Sequence, residues 1–288
     1  MDMTRWGAQA MAAVRPRASG PPLDPSVRVT LNFHPDRTSG GRTVLQQFAE
    51  HGTYRSQFET GTSTGGLTAY PGGDRWRWEQ RIFDGAYDEA PSAQRPKYGA
   101  LNYRRRAIGA APRFGSAHLR LAGHTLSRTT FCFPDSVLDP QDFAVAEACG
   151  LITLAEDLRT RPRTEAQEAA SGGALDDYIE AHVHGTISVA EDVEALVLDP
   201  CYAGTVHEEQ ARALGLDVHW HEGRVLTVTE LRRHPGFRGP RIVAVGEQIA
   251  IGGYLDAAII GQAVQAGLAP AQDLKKVWHV VARFGVPA

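Results

Sequence analysis

The chain lacks several features that would place it quickly. No apolar run approaches the roughly 20 residues that a bilayer-spanning helix needs, and the N-terminus has no long apolar core of the secretory kind, so no membrane partner is expected. Cysteine is scarce: Cys132, Cys149 and Cys201 are scattered and none belongs to a CxxC pair. That excludes a disulfide framework and paired-thiolate zinc motifs, and a reducing, cytoplasmic setting is the expectation. Neither sign of charge dominates, with 30 Lys plus Arg against 33 Asp plus Glu and a formal charge of -3. No global field therefore draws the chain to nucleic acid, although a local basic face remains open. No GxGxxG follows a strand pattern, and there is no Walker loop and no HExxH, which removes dinucleotide-binding Rossmann, P-loop and zincin readings.

What is present is 288 residues of ordinary globular composition, enough to bury a sizeable core. Residues 1–26 are rich in Ala, Arg, Pro and Gly and read as a disordered or extended leader. Strand patterns follow at residues 27–33, 97–102, 116–121 and 129–133, with an extended segment over 53–60. Helical spacing is found over 44–52, 74–86 and 255–266, and over 142–159 with a break at Gly150. Residues 242–245 read as a strand, and 278–284 as either a strand or a short helix. Short strands separated by helices, without regular βαβ alternation, predict an α+β fold. In the helix at 74–86, Arg75, Arg77 and Arg81 interleave with Trp76 and Trp78. Such a face suits nucleic acid, but Glu79 and Asp84 interrupt it and aromatics at helical spacing usually pack inward.

The sharpest stretch is Asp177 to Gly185, where Glu180 stands on an alternating strand pattern. His182-x-His184 places two imidazoles on one strand face, and His219-x-His221 repeats the arrangement, so a metal-dependent hydrolase is one reading. Upstream, His34 ends the first strand at Phe33-His34-Pro35-Asp36-Arg37. A turn rich in glycine and hydroxyl groups runs from Gly61 to Tyr70, where backbone can come close to a ligand.

In this order the motifs resemble the His-Tyr-Glu branch of the ADP-ribosyltransferase fold, as in the poly-ADP-ribose polymerases. The runs Tyr54 to Gly61 and Lys97 to Asn102 also look like signatures of an uncharacterised bacterial family of that fold. The resemblance covers roughly residues 27–200. It implies a split, mostly antiparallel sheet with flanking helices over 27–200, with 201–288 as an extension packed on the same domain. It further implies that NAD is the substrate. His34 would bind the adenine-side ribose, the backbone near Gly65 and Gly66 would approach the nicotinamide, Ser63 would belong to the NAD-binding residues, and Tyr70 would stack on the nicotinamide ring, with Tyr98 beside Gly99 as its rival. Glu180 would hold the 2′-hydroxyl of the nicotinamide ribose. Arg55 is an alternative anchor for NAD, as in the Arg-Ser-Glu branch, and His182 would line the cleft or position an acceptor. Tyr178, two residues before Glu180, departs from the Glu or Gln of arginine-modifying relatives, so arginine is not the expected acceptor.

The chemistry fits the residue types. Cleavage of an N-glycosidic bond develops an oxocarbenium-like cation, which a fixed carboxylate in a dry site stabilises. The expectation is therefore an enzyme that transfers ADP-ribose from NAD to a protein, a nucleic acid or water. The alternatives are a non-catalytic ligand-binding module of the same fold, RNA 2′-phosphate transfer, and the hydrolase built on His-x-His pairs.

Overall fold

The computed structural model of the chain describes residues 3–61, 68–161 and 175–288. Its centre is an eight-stranded sheet of β1 (Val29–Phe33), β2 (Lys97–Leu101), β3 (Ala117–Leu121), β4 (Thr129–Phe133), β5 (Asp142–Val145), β6 (Glu180–Val183), β7 (Val193–Leu198) and β8 (Val218–Trp220). The strand order is β8-β7-β3-β1-β2-β6-β4-β5, antiparallel throughout except for the β7–β8 pair. The fold is thus mixed α and β, with a large, mostly antiparallel sheet and flanking helices.

The two faces of the sheet differ in chemistry because side chains alternate along a strand and directly opposed residues share a face. Val29, Leu31, Phe33, Leu119, Leu121, Phe131 and Val183 form the apolar face. Against it pack Leu45 and Phe48 of α2 (Val44–His51) and Leu151 and Ala155 of α4 (Leu151–Thr160). The opposite face carries Thr30, Asn32, His118, Thr130, Glu180 and His182, all buried. Most of these polar groups bond to one another or to backbone, as buried polar groups must, while His118 Nδ1 has no partner among the described residues.

Strands β1 and β2 hold together at only two register pairs, Val29 with Leu101 and Thr30 with Ala100, and then part. Their outer neighbours stay in register for longer, β1 with β3 as far as Phe33 and β2 with β6 as far as Lys97. The sheet therefore forks between β1 and β2. Gly99 sits in the crotch, where a Cβ would come 2.4 Å from Leu31 Cδ2 and 2.8 Å from the Thr30 carbonyl oxygen. No larger residue fits the fork at its present width.

Several sequence expectations are corrected. The opening residues are not a disordered leader: α1 (Arg5–Val14) buries Ala10, Met11 and Val14 against Cys132, Phe143 and Val145. Its apolar positions fall at helical spacing, which the Pro and Gly that follow obscure. Residues 142–145 form β5, not the first turns of a helix, and the helix begins at Leu151 after Gly150. Residues 242–245 belong to helix α5 (Pro240–Ile249), with Ile242, Val245 and Ile249 facing inward. The extended segment at 53–60 is a two-residue strand followed by one helical turn, in which the Ser56 N–H donates to Glu59 Oε2 at 2.7 Å.

The ambiguous C-terminal stretch lies in α7 (Ala271–Phe284), which buries Leu274, Val277, Trp278 and Val281 at i, i+3, i+4 and i+7. A window starting at 278 cuts that pattern in half. This helix, α5 and α6 (Ala257–Gln265) share a second core. It is joined to the sheet by the Trp278 indole N–H donating to the Pro112 carbonyl at 2.8 Å, and by the Tyr202 hydroxyl donating to Asp36 at 3.0 Å. No helix among the described residues is long and apolar enough to cross a membrane.

Candidate active site

The fork between β1 and β2 opens into a cavity of about 400 Å³. One arm presents Asn32, Phe33 and His34, the other Lys97, Tyr98 and Gly99, and Glu180 of β6 lies on the wall beyond β2. Register pairs Ala100 with both Thr30 and Glu180, so two strand steps of about 4.8 Å and four residues of about 3.3 Å separate Glu180 from His34, roughly 16 Å in all. Both residues line the same cavity.

Glu180 is 7% exposed. Its Oε1 lies 2.9 Å from His182 Nε2 and accepts from the Ser136 N–H at 3.3 Å. Burial would raise its pKa, but the His182 bond and charge, Arg75 and Ser136 more than offset this and hold the carboxyl below its ordinary value. Asp135, across from it, moves the other way: burial and the Glu180 charge push it up, although it accepts from the Tyr178 hydroxyl at 2.6 Å.

Behind Glu180 runs a buried chain of hydrogen bonds. Thr130 Oγ1 lies 3.2 Å from His182 Nδ1 and 3.0 Å from His184 Nε2, and the Tyr87 hydroxyl lies 2.7 Å from His184 Nδ1. Two polarities of the chain are geometrically possible, and the first leaves no donor unmatched. With Tyr87 donating, each proton points toward Glu180; with His182 carrying protons on both nitrogens, Thr130 and His184 reverse and donate toward Tyr87. Thr130 is the one member that bonds both rings. Thr130→Val, nearly the same shape, is expected to cost about 1–3 kcal/mol by stranding two buried ring nitrogens. Chemical denaturation checks this, and a loss below about 0.5 kcal/mol would mean that the chain is not a stabilising network.

Tyr98 stands over the other side of Glu180. Its hydroxyl donates to Glu79 Oε1 at 3.2 Å, and the Arg75 guanidinium covers its ring at 4.0 Å. Arg75 Nε donates to Gln57 at 2.9 Å, while its buried Nη1 has no hydrogen-bond partner among the described residues. At the far end, His34 is buried edge-on against Trp278 with Ser116 Oγ 3.3 Å from its Nδ1. Burial, with a smaller push from Arg37, lowers it to about 3 and keeps it neutral, able to donate one hydrogen bond and accept another. Arg37, Arg113 and Lys275 line that end, as does the start of α7 at Ala271 and Gln272.

Glu180, His34, Tyr98 and Arg55 thus share one cavity. Arg55 is also tied to Glu59, whose backbone oxygen accepts from its guanidinium at 3.2 Å. Tyr70 does not join them: it is 57% exposed and absent from the cavity wall, because Tyr70-Pro71-Gly72 forms an outward turn. His182 is fully buried behind Glu180, holds its carboxylate through Nε2, and is not among the residues lining the cavity. Ser63, Gly65 and Gly66 lie outside the described residues.

The His-x-His pairs do not assemble. β6 and β8 are five strand steps apart, about 24 Å. His219 is exposed, and His221 is buried with its Nε2 2.7 Å from the Ser116 carbonyl oxygen. Cys132, Glu180 and His182 do bring three donors of metal-ligand type together, with Sγ 3.9 Å from Glu180 Oε1 and from His182 Nε2. Ligation would require the metal's charge to deprotonate that thiol, which burial and the charges of Glu180 and Asp135 hold well above its ordinary value. His182 Nε2 is already engaged by the carboxylate.

Sequence reasoning missed Arg75, Arg113 and Lys275 as wall residues and the pairing of Tyr98 with Glu79. The signal for Arg75 was the interleaved Arg and Trp helix, whose interruption by Glu79 proves to be the very feature that anchors Tyr98. No curated protein matches the chain. A family model matches residues 28–158 and 142–284, spanning the sheet, the forked cavity and the C-terminal helices, and the chain belongs to that family, described as "Protein of unknown function (DUF3626)".

Proposed function

We propose that the protein is an NAD-dependent ADP-ribosyltransferase of the His-Tyr-Glu type, with Glu180 as the catalytic carboxylate, Tyr98 as the aromatic platform and His34 as the anchor at the adenosine end. The observation that carries this reading is Glu180 itself: a carboxylate held ionised and aimed by His182 and the Ser136 N–H, on the wall of a cavity whose other charged lining residues among the described ones, Arg37, Arg55, Arg75, Lys97, Arg113 and Lys275, are all cationic. An extended dinucleotide diphosphate suits that distribution, with one carboxylate where positive charge develops and cations where phosphates lie. A forked, mostly antiparallel sheet with the cavity in the fork also suits the split sheet of that fold.

In this reading the C1′–N bond of NAD breaks with its electron pair leaving on nicotinamide, which departs neutral. The ribose C1′ becomes electron-poor, and Glu180 stabilises it while holding the 2′-hydroxyl. An acceptor oxygen or nitrogen then bonds to C1′ and gives up its proton to solvent. Tyr98 takes the place of Tyr70 because it stands on the strand next to Glu180, with its hydroxyl fixed by Glu79.

Incubation of the full chain with NAD labelled in the nicotinamide ring, alongside calorimetric titration with unlabelled NAD, tests the proposal. Binding with release of free nicotinamide is expected. Binding without release makes the chain a ligand-binding module, and absence of both rejects NAD as the substrate.

A further inference from the structure

His34 stands at the far end of the cavity, and one of its two ring nitrogens is already engaged. Phe33 pairs with Ala117, so the next residues outward, His34 and Ser116, face each other, and His34 Nδ1 lies 3.3 Å from Ser116 Oγ. Its Nε2 bonds no described residue. Behind Ser116 the contacts continue: Ser116 Oγ is 3.4 Å from the Tyr202 hydroxyl, which donates to Asp36 Oδ2 at 3.0 Å. All four side chains are buried, and Asp36 is not among the residues lining the cavity. Its carboxylate is seated against α6, where Gly261 makes room for it: a Cβ at that position would come 1.6 Å from Asp36 Oδ2.

Proton count gives this chain one direction. Burial raises Asp36 to about 6, with a further push from Asp256 and against the Tyr202 bond and the Arg37 charge, so at about pH 8 it is an ionised group that only accepts. Burial, with the charge of Asp36, keeps the Tyr202 phenol protonated. Its one proton goes to Asp36, and toward Ser116 the phenol oxygen can then only accept. The Ser116 proton is directed there, so toward His34 the serine oxygen also only accepts. His34 is neutral, lowered to about 3 by burial and Arg37, and carries a single ring proton. That proton belongs on Nδ1, and Nε2 is bare, because the bond made by one ring nitrogen decides the state of the other. The reverse order would strip a buried carboxylate of its donor.

We propose that Asp36, acting through Tyr202 and Ser116, is a positioning residue that fixes the His34 proton on Nδ1, so that Nε2 meets the ligand as an acceptor and selects a group that donates, a ribose hydroxyl. An ether, carbonyl or phosphate oxygen at that point would set lone pair against lone pair. The ligand half rests on the reading of the adenosine end given above, whereas the proton order does not. A purely structural role is distinguishable: if Asp36 and Tyr202 only joined the sheet to the second core, removing them would loosen the fold and leave the ring proton where it is.

The test is nitrogen NMR of the histidine rings in the full chain at about pH 8 without ligand, with the His34 signals identified by their loss in His34→Gln. Protonated and bare ring nitrogens differ widely in shift, and wild type is expected to show Nδ1 protonated. In Asp36→Ala the Tyr202 proton has Ser116 as its remaining acceptor, the order reverses, and the ring proton should move to Nε2. Tyr202→Phe should move it as well, by removing the acceptor of the Ser116 proton. Wild type with the proton on Nε2, or a folded variant of either kind with the proton still on Nδ1, overturns the inference. Added NAD should then shift the wild-type Nε2 signal, as a hydroxyl donates to it, and leave Nδ1 protonated. A ligand-free spectrum as expected with no response of Nε2 to bound NAD upholds the proton order and rejects His34 as the anchor; NAD that does not bind at all upholds the order and rejects the reading of the cavity.

Discussion

Glu180→Gln is expected to lower nicotinamide release from NAD by about 100- to 1,000-fold, the range for removing one preorganised group that meets developing charge. NAD affinity should change by less than about threefold, because only the transition state carries the charge that the carboxylate meets. The substitution keeps the shape and an oxygen able to accept from Ser136 N–H and His182, so the wall of the cavity should stand. What goes is the one carboxylate that lines the cavity among the described residues, set among six cationic side chains. Release that survives the substitution would falsify the role given to Glu180, and equal losses of affinity and release would point to a binding group instead.

The pH profile adds an independent mark. The groups facing Glu180 are His182 from its own strand, Arg75 from α3 (Asp74–Ile82), Tyr98 from β2, Cys132 from β4, and Asp135 and Ser136 from the turn after β4. Against the burial that would raise it, His182, Arg75 and Ser136 hold Glu180 below the ordinary carboxylate value of about 4.3. Its ionisation therefore sets no limb between pH 8 and pH 5, and loss of release through Glu180 should begin only below about pH 4.

The strands were legible where burial and chemistry alternate. Val29–Phe33 and Thr129–Phe133 stand out because β-branched and aromatic side chains alternate with residues small or polar enough for the other face. The fork was not legible as geometry, since parting of β1 from β2 depends on which strands pair, and pairing is non-local. Its one local trace is Gly99 within the run Lys97 to Leu101, which sequence reasoning noted only as a neighbour of Tyr98. Glu180 and His34 were placed by the order of motifs, and both line the cavity. Tyr70 was not separable from Tyr98, because a tyrosine after a glycine-rich turn and a tyrosine on a strand look alike until the strand's neighbour is known. The hydrogen-bonded chain behind Glu180 was half visible: His182-x-His184 signals two imidazoles on one face, but Thr130 and Tyr87 reach them from other strands and turns.

The polar face is stable only because its charges come with partners, and the clearest case lies beneath Tyr98. Glu79 is fully buried, Arg95 nearly so; they meet at 2.5 Å, and the Arg95 Nη2 also donates to the Tyr87 carbonyl at 2.8 Å. Arg95→Leu leaves the carboxylate without its cation and is expected to destabilise the fold by about 3–5 kcal/mol at pH 8. The sign with pH follows from Glu79. Burial raises it from 4.5 to about 7 against the pull of Arg95, so the folded chain binds a proton that the unfolded chain releases, and stability from this group falls as pH rises from about 4.5 through 7. Without Arg95 the folded value climbs further, so the penalty grows into the alkaline range. Urea denaturation should therefore show a smaller gap between wild type and variant at pH 5 than at pH 8. Asp36, which burial raises to about 6, titrates in both proteins and cancels in the difference. A gap that is the same at both pH values, or below about 1 kcal/mol, would mean that Glu79 is not an uncompensated charge in the variant. Replacing both partners with leucine should recover most of the loss in stability, because a buried ion pair contributes little net energy over packed apolar side chains. It should not recover NAD binding, because the Tyr98 hydroxyl then has no Glu79 to hold it beside Glu180. Stability and ligand binding separate in that double variant, which marks the pair as a support for the platform and not only for the fold.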